Sequence, residues 1–243
     1  MPALAGDHVQ VLVAGYELTG DSNSLNISDK RDMYDVSAFG DTTHKFVPGR
    51  RAMSLDHAGY LNMAAAGSHP VLRGSAIDGV VSVVLGQNAV AVLGDPMFSL
   101  FTLQGKYSAM TEAGKFVPFG AMFVNKGTLG GWGTALAVPV SFTNTTNGSS
   151  VNNGASSSNG GAAFLHLLLA AATDRYSITV QGASDSGFTS PITLATFNLD
   201  ASQLGSERVA IAGNIPQYTR WTATRTSGSA GNTVRIAVNL VRF

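Results

Sequence analysis

The sequence contains no cysteine and few charged residues. Without cysteine the chain can form neither disulfide bonds nor thiolate metal sites. Lysine, arginine, aspartate and glutamate make up 12% of the 243 residues, which is about half the usual share for a globular protein. A monomer that meets water on every side normally carries more charge. The sparse charge, together with many small polar residues, therefore indicates that much of the surface contacts other protein.

An excess of one charge sign and a long apolar run are also missing. Fifteen basic and fifteen acidic residues give a formal net charge of zero, and no basic stripe exists that could hold phosphate groups. The N-terminus shows no basic region followed by a long apolar run, so we predict no signal peptide. The longest apolar stretch, 161–173, is interrupted by His166 and is too short to span a membrane.

What the sequence does contain is the pattern of a β protein. Short segments with alternating or continuous apolar residues are separated by Gly, Asn and Ser clusters, at the spacing typical of a sandwich or barrel. The predicted strands are 9–13, 24–28, 51–61, 80–85, 89–93, 98–103, 116–124, 175–181, 192–199, 208–212, 218–226 and 233–243. Gly86-Gln87-Asn88 predicts a hairpin turn between the fourth and fifth of them.

Helix signals are few. A short helix is predicted around Pro70, with Ser68 as its candidate N-cap. The segment 164–172 has helix-compatible composition, but it leads directly into an alternating segment, so we predict a strand there. The predicted fold class is mainly β, with at most one or two short helices.

One segment differs in composition from the rest of the chain. Residues 143–161 are almost wholly Thr, Asn, Gly and Ser, with Val151 the one large apolar residue. Such a segment cannot form a core, so we predict a flexible loop or linker. The alternative is an assembly arm that becomes ordered only against a neighbouring subunit. The segment divides the chain into a β domain, 1–142, and a C-terminal β region, 162–243, which either completes the sheet or forms a second domain.

Short matches to a catalytic motif occur near the N-terminus. Gly20-Asp21-Ser22 resembles the nucleophile block of one esterase family, and Asp41-Thr42-Thr43-His44 resembles its acid–base block. That family needs the serine directly after a parallel strand and the histidine block near the C-terminus. Here both blocks lie close together in an N-terminal turn region, so we predict no catalytic centre.

The other candidate ligands are dispersed. The histidines have no metal-ligand spacing, and Asp29, Asp32 and Asp35 are interleaved with Lys30 and Arg31. We therefore predict no bound metal and no cofactor.

A family resemblance begins at Tyr34. The run from Tyr34 to Asp41, then Phe46-Val47-Pro48-Gly49, then the strand 51–60 resembles the tail tube proteins of long-tailed bacteriophages. The resemblance continues through 94–136 and into the C-terminal blocks 177–185, 205–209, 218–220 and 241–243. It covers most of the chain and rests on the order of several short blocks.

The resemblance implies a tail-tube-like β-sandwich or half-barrel. Its subunits would close into rings, as hexamers or as pseudo-hexameric trimers, and the rings would stack into a tube that conducts the genome. The implied partners are copies of the chain itself and other tail proteins. DNA would pass through the lumen without specific binding, and no membrane would be involved. The protein would be made in the host cytoplasm and would reside in the virion.

Three alternatives remain open. A capsid decoration or head-fibre protein would share the β content, the low charge and the polar segment. A carbohydrate- or receptor-binding module would need exposed aromatic residues, for which Trp132, Trp221, Tyr218 and Tyr107 are candidates. A hydrolase is the third.

The segment 39–51 is the candidate assembly site. It combines a lone aromatic in a Gly/Asp turn, a Pro-Gly turn and a basic pair. The predicted contact residues are Phe39, Asp41, Phe46, Pro48, Gly49, Arg50 and Arg51. We expect the aromatic residues to anchor an interface and Arg50 or Arg51 to meet a neighbour's carboxylate. The alternative is that Phe39 and Phe46 fold back onto their own core.

Overall fold

The computed structural model describes residues 8–74, 77–87, 90–171, 173–228 and 231–243. Within these ranges the chain forms antiparallel strands, one α-helix and a short 3-10 helix at Thr19–Asp21, so the prediction of a mainly β fold is confirmed. The strands are β1 (Val9–Val13), β2 (Tyr16–Glu17), β3 (Ser22–Asp35), β4 (Phe46–Tyr60), β5 (Asp78–Leu85), β6 (Pro96–Ala109), β7 (Pro118–Asn125), β8 (Gly131–Phe142), β9 (Thr146–Asn147), β10 (Val151–Asn152), β11 (Gly161–Leu169), β12 (Arg175–Ala183), β13 (Ile192–Thr196), β14 (Gly205–Ile211), β15 (Tyr218–Ser227) and β16 (Val234–Arg242). The helix is α1 (Ser68–Arg73).

Two local predictions are wrong. Residues 90–93 are not a strand, because Asp95 draws them into a turn: its Oδ2 accepts a hydrogen bond from the Val92 amide at 2.8 Å. Asn88 and Ala89, which belonged to the predicted hairpin, lie outside the described residues. Ser68 is not the N-cap but the first residue of α1, after Gly67. Its Oγ instead accepts a hydrogen bond from the Asn62 amide at 3.0 Å.

The main sheet branches at β6. One edge of this strand pairs with β5. The other edge pairs first with β8, over Pro96–Ser99, and then with β7, over Thr102–Ala109. One branch therefore continues as β8-β16-β11-β14, and the other continues through β7 to β4 and β3. Because β8 precedes the polar segment 143–161 and β16 follows it, strands from both parts of the chain share this sheet.

A second sheet, β10-β15-β12-β13 with β9 also paired to β15, packs over β8, β11 and β16. Three aromatic side chains pack together where the two sheets meet. The ring centre of Phe142 lies 5.2 Å from that of Tyr176 and 5.5 Å from that of Trp221. The short strands β9 and β10 come from the segment 143–161. The flexibility of that segment in a free subunit stays a prediction.

A second apolar core lies between β1, β5 and β6 on one side and β4, β7 and α1 on the other. The strands β5 and β11 are buried on both faces, which explains why their sequences read as apolar runs rather than alternating patterns.

The main sheet also curls so that β11 approaches β5. At this point the amide of Gly15 donates to His166 Nδ1 at 3.4 Å, so His166 carries its proton on Nε2 and donates it to Ser82 Oγ at 2.8 Å. Ser82 in turn lies 2.7 Å from Ser99, whose Oγ accepts from Asn239 Nδ2 at 2.7 Å. Burial lowers the pKa of His166 to about 3, so the ring is neutral in the folded protein.

Candidate assembly site

The hairpin β3–β4 extends beyond the sheet to which it belongs. β4 pairs with β7 only over Ser54–Tyr60, and Asn125 at the end of β7 accepts a hydrogen bond from the Met53 amide at 3.1 Å. Beyond that point the two strands continue as a two-stranded ribbon to the turn 36–45. We call residues 29–52 the arm. At about 3.3 Å per residue, it projects roughly 20 Å from the sheet.

An ion pair joins the two strands at the base of the arm. Arg51 Nε donates to Asp29 Oδ1 at 2.7 Å, and its Nη2 donates to Asp29 Oδ2 at 2.5 Å. The hydrogen bonds from Arg51 lower the pKa of Asp29, and the same contact raises the pKa of Arg51. Arg51 thus has a carboxylate partner in its own chain. Arg50 is exposed and has no ion-pair partner in the described part of the chain, so it remains the candidate for a neighbour's carboxylate.

The turn at the end of the arm is held by its own side chains. Asp35 accepts hydrogen bonds from the Ser37 amide at 2.9 Å and the Ser37 hydroxyl, and its other oxygen lies 2.8 Å from His44 Nδ1. These bonds, those from Ser37 first, lower the pKa of Asp35. The Ser37 hydroxyl oxygen also accepts from the Lys45 amide at 2.9 Å, which closes the neck of the turn.

A second carboxylate shapes the far end of the turn. Asp41 accepts from the Ala38 amide at 2.8 Å and from the Lys45 ammonium, and the bond from Lys45 is the main cause of its lowered pKa. The backbone amide of Asp41 bonds to the Ala38 carbonyl at 2.9 Å. This compact turn holds Phe39 at its apex, where the side chain is fully exposed.

The arm carries an unusual amount of exposed apolar surface. Phe46 is 54% exposed, so neither it nor Phe39 folds back onto the core, and that alternative is not what the structure shows. Four further apolar side chains of the arm are each about half exposed: Met33, Tyr34, Val36 and Val47. We call these six side chains the apolar tip.

Pro48 and Gly49 lie within β4, so the Pro-Gly turn predicted from the sequence is a β-bulge. Arg31 pairs with Arg51 and Met33 pairs with Pro48, so two residues of β4 oppose one of β3. A side chain at Gly49 would collide with Tyr34, whose ring carbon Cε2 would lie 2.3 Å from the new Cβ. Glycine here allows the Tyr34 ring to lie across the strand.

The two esterase-like blocks do not meet. His44 lies at the arm's turn beside Asp35, whereas Ser22 Oγ lies 2.7 Å from His57 Nε2 and donates to the Leu18 carbonyl. Within the described residues, Nδ1 of His57 is buried without a hydrogen-bond partner, so no carboxylate of that part of the chain orients this ring. Burial lowers the pKa of His57 to about 4, which makes it a weak base.

Other candidate sites are equally incomplete. Trp221 is buried in the sandwich core. Trp132 is 44% exposed, and one side of its ring packs against Phe98 with a centroid distance of 5.2 Å. Tyr107 bonds to His69 at 2.8 Å. Across the described ranges no three His, Asp or Glu side chains gather in a way that could hold a metal ion. None of the helical segments in those ranges has the length and apolarity needed to cross a bilayer.

Comparison with known proteins gives little beyond weak structural likeness. No family model and no curated protein matches the chain. A chain in the virion of a native gene transfer agent particle aligns with 53% of this chain and 98% of its own length, at 13% identity and a TM-score of 0.44. A chain in the tail of an empty particle of that agent aligns with 52% of this chain and 96% of its own length, at 13% identity and a TM-score of 0.40.

A chain of infectious bursal disease virus, Gx strain, aligns with 96% of this chain and 55% of its own length, at 13% identity and a TM-score of 0.27. With TM-scores this low, the three likenesses establish neither a shared fold nor a function.

Proposed function

We propose that this protein is a structural component of a virion that assembles with copies of itself, and that its subunits form the stacked rings of a phage tail tube. The arm with its exposed apolar tip is the observation that carries the proposal. The tail-tube assignment rests on the sequence resemblance that begins at Tyr34, within the same arm.

The apolar side chains of the arm remain about half or fully exposed in the isolated chain. A lone two-stranded hairpin is marginally stable in water, and contiguous exposed apolar patches typically mark interaction sites. The side chains of Asp35 and Asp41 shape the turn but bury none of the apolar tip. The arrangement presents a preformed contact to a partner, which reduces the ordering cost of binding.

The free edge of β3 supplies a candidate side-to-side contact within a ring. Among the described strands, β3 pairs with β4 alone, so its second edge exposes backbone groups that no described strand pairs. The outer half of this edge is unfavourable for pairing with another strand, because residues 29–32 are charged and a β-bulge lies there. Residues 24–28 carry no charge, so a strand of a neighbouring subunit could pair there and extend the sheet around a ring.

The first test compares assembly of three proteins. The double variant Phe39→Ser/Phe46→Ser removes the aromatic part of the apolar tip, and Ile192→Ser removes a half-exposed apolar side chain from β13 as a matched control. We expect wild type and the control to sediment as large assemblies and to show stacked rings by negative-stain microscopy. The arm variant should remain as subunits with an unchanged melting temperature, because exposed side chains contribute little to folding stability.

Arg50→Glu, with Arg51 left intact to keep its bond to Asp29, adds a charge test of the same surface. It should weaken assembly without altering melting. Tubes of normal length from the Phe39→Ser/Phe46→Ser variant would show that the arm is not an assembly contact. Failure of the wild-type protein to form rings or tubes, with or without other virion components, would overturn the proposed function itself.

A further inference from the structure

A second exposed apolar patch lies at the other end of the arm's own strand. Tyr60 is 51% exposed and Phe116 is 84% exposed, with ring centroids 5.8 Å apart. Met110, which is 75% exposed, directly follows β6 and lies across β7 from Tyr60. Tyr60 pairs with Pro118, and the Met110 amide bonds to the Pro118 carbonyl at 3.3 Å. We call Tyr60, Met110 and Phe116 the far patch. It borders an open groove of about 600 Å3.

Strand directions fix where the two patches lie. β4 starts at the apolar tip and ends at Tyr60, so the 15-residue strand separates the patches by roughly 45 Å at about 3.3 Å per residue. β6 runs parallel to β4, since β7 is antiparallel to both. Met110, just after the end of β6, therefore lies at the end of the sheet opposite the arm.

We propose that the apolar tip of one subunit binds the far patch of the next copy of this chain. The proposal rests on the proposed function and names the surface that receives the arm. The two patches differ from each other and lie at opposite ends, so the contact is head-to-tail. Each bound subunit then presents a new free tip and a new free far patch, and the contact can repeat indefinitely along one axis.

The areas are matched and modest. Aromatic side chains bury roughly 150–250 Å2 each. Tyr34 pairs with Val47 and Asp35 pairs with Phe46, so the side chains of the apolar tip are divided between the two faces of the ribbon, and either face together with Phe39 offers on the order of 400 Å2. The far patch offers on the order of 400 Å2 by the same reasoning. The sum of about 800 Å2 is below the roughly 1,000 Å2 expected of a specific interface. One contact is therefore weak, and stable stacking requires several arms to bind together, as they would between two rings.

The turn at 90–93 is an alternative surface to which the apolar tip of another subunit could bind. Val90, Val92 and Leu93 are also exposed there. This turn lies just before the start of β6, so it is at the same end of the sheet as the arm. A tip that bound this turn would pair two subunits end to end and close as a dimer, with no free tip left to continue.

The absence of cysteine makes a crosslinking test free of background. Three single variants introduce a thiol at exposed positions while leaving the aromatic residues of both patches in place: Gly40→Cys beside the apolar tip, Lys115→Cys beside the far patch, and Val92→Cys in the competing turn. Mixed pairs are treated with a short bismaleimide under conditions in which wild-type protein assembles. We expect Gly40→Cys to crosslink with Lys115→Cys, and the double variant Gly40→Cys/Lys115→Cys to give a ladder of dimers, trimers and longer species.

A second, quantitative test uses the variant Phe116→Ser. It should raise the critical concentration for assembly roughly ten- to hundredfold, as expected for loss of an aromatic anchor. Crosslinking of Gly40→Cys to itself or to Val92→Cys, without reaction at position 115, would overturn the proposal. So would an absence of any crosslink in samples in which the cysteine variants themselves have assembled into tubes. In both cases tubes still form, so the proposed function would survive; it fails only if wild-type protein does not assemble.

Discussion

The β11–β16 pair and the arm are two antiparallel ladders with the same backbone bonding and opposite surroundings. Nearly every side chain of β11 and β16 is buried, on both faces of the sheet, whereas residues 29–40 of the arm are all exposed. Burial stabilises the first ladder. The second depends on local bonds from Asp29, Asp35 and Asp41. The comparison indicates that folding free energy resides in the buried sheets, which we call the body, and it agrees with the proposal that assembly contacts reside in the arm.

The largest expected difference between the two ladders concerns two phenylalanines, one in each ladder. Phe164 on β11 is fully buried, and Phe39 at the arm's apex is fully exposed. Phe164→Ala should lower the free energy of unfolding by about 3–5 kcal/mol, because it removes buried apolar surface and leaves a cavity. Phe39→Ala should change it by less than about 0.5 kcal/mol while preventing assembly. Urea unfolding and sedimentation measure the two effects.

A large loss of stability in Phe39→Ala would show that the tip packs within its own subunit. Unimpaired assembly of that variant would remove Phe39 from the interface. Either result would break the division of roles between body and arm.

Acid should weaken the body before it disturbs the arm. The pKa of His166 is lowered to about 3 and that of His57 to about 4 by burial. The unfolded chain therefore binds protons at these positions below about pH 6.5 while the folded chain does not, so stability falls as pH falls. Each histidine should cost about 2 kcal/mol between pH 7 and pH 5.

The measurement is urea unfolding across that range, for wild type, His166→Gln and His57→Gln. Each variant should show a shallower pH dependence than wild type, even where its stability at pH 7 is lower. A slope equal to that of wild type would mean that the replaced ring is already protonated or solvated in the folded state. The arm's carboxylates, with their lowered pKa values, should hold their bonds until the pH falls below about 3.8.

The smallest expected effect concerns the ion pair at the base of the arm. Partly exposed pairs contribute about 0.2–1 kcal/mol, so Arg51→Ala should barely change melting. It should instead speed hydrogen exchange at amides in the arm, and Arg50→Ala is the matched control that leaves the pair intact. The exchange Asp29→Arg/Arg51→Asp should restore protection. Equal exchange in Arg51→Ala and Arg50→Ala would show that the turn alone orders the arm.

Much of the fold could be predicted from local patterns. Alternation in 51–61 placed Met53, Leu55 and His57 on one face, and all three are buried. The strand β8 was missed because Gly131, Gly133 and Pro139 interrupt its pattern; its neighbours β6 and β16 stabilise it through contacts distant in sequence. Local composition carries no information about such pairings.

The candidate site was predictable in part for the same reason. Turn residues and lone aromatics in 39–51 indicated an exposed contact segment, and the structure does expose Phe39 and Phe46. The partner of Arg51 was not predictable, because Asp29 lies 22 residues away and meets it only through the hairpin register. The far patch gave no sequence signal, since Tyr60 and Phe116 come together only when β4 pairs with β7.

A buried series of hydrogen bonds links His166, through Ser82 and Ser99, to Asn239. This series affects how the strands of the main sheet reach their native register during folding. β16 is apolar on both faces: Ala237 and Val241 contact the inner side of the curl, and Val238 and Leu240 contact the sandwich core. Because both faces of β16 are apolar, burial of apolar side chains alone would also permit a pairing register shifted by one residue. Such a shift would move Asn239 into the sandwich core and take its amide away from its two acceptors, the Met97 carbonyl and the Ser99 hydroxyl, at a cost of about 1–3 kcal/mol for the unpaired buried amide. The hydrogen bonds of one asparagine thus favour the native register of β16 over a register shifted by one residue.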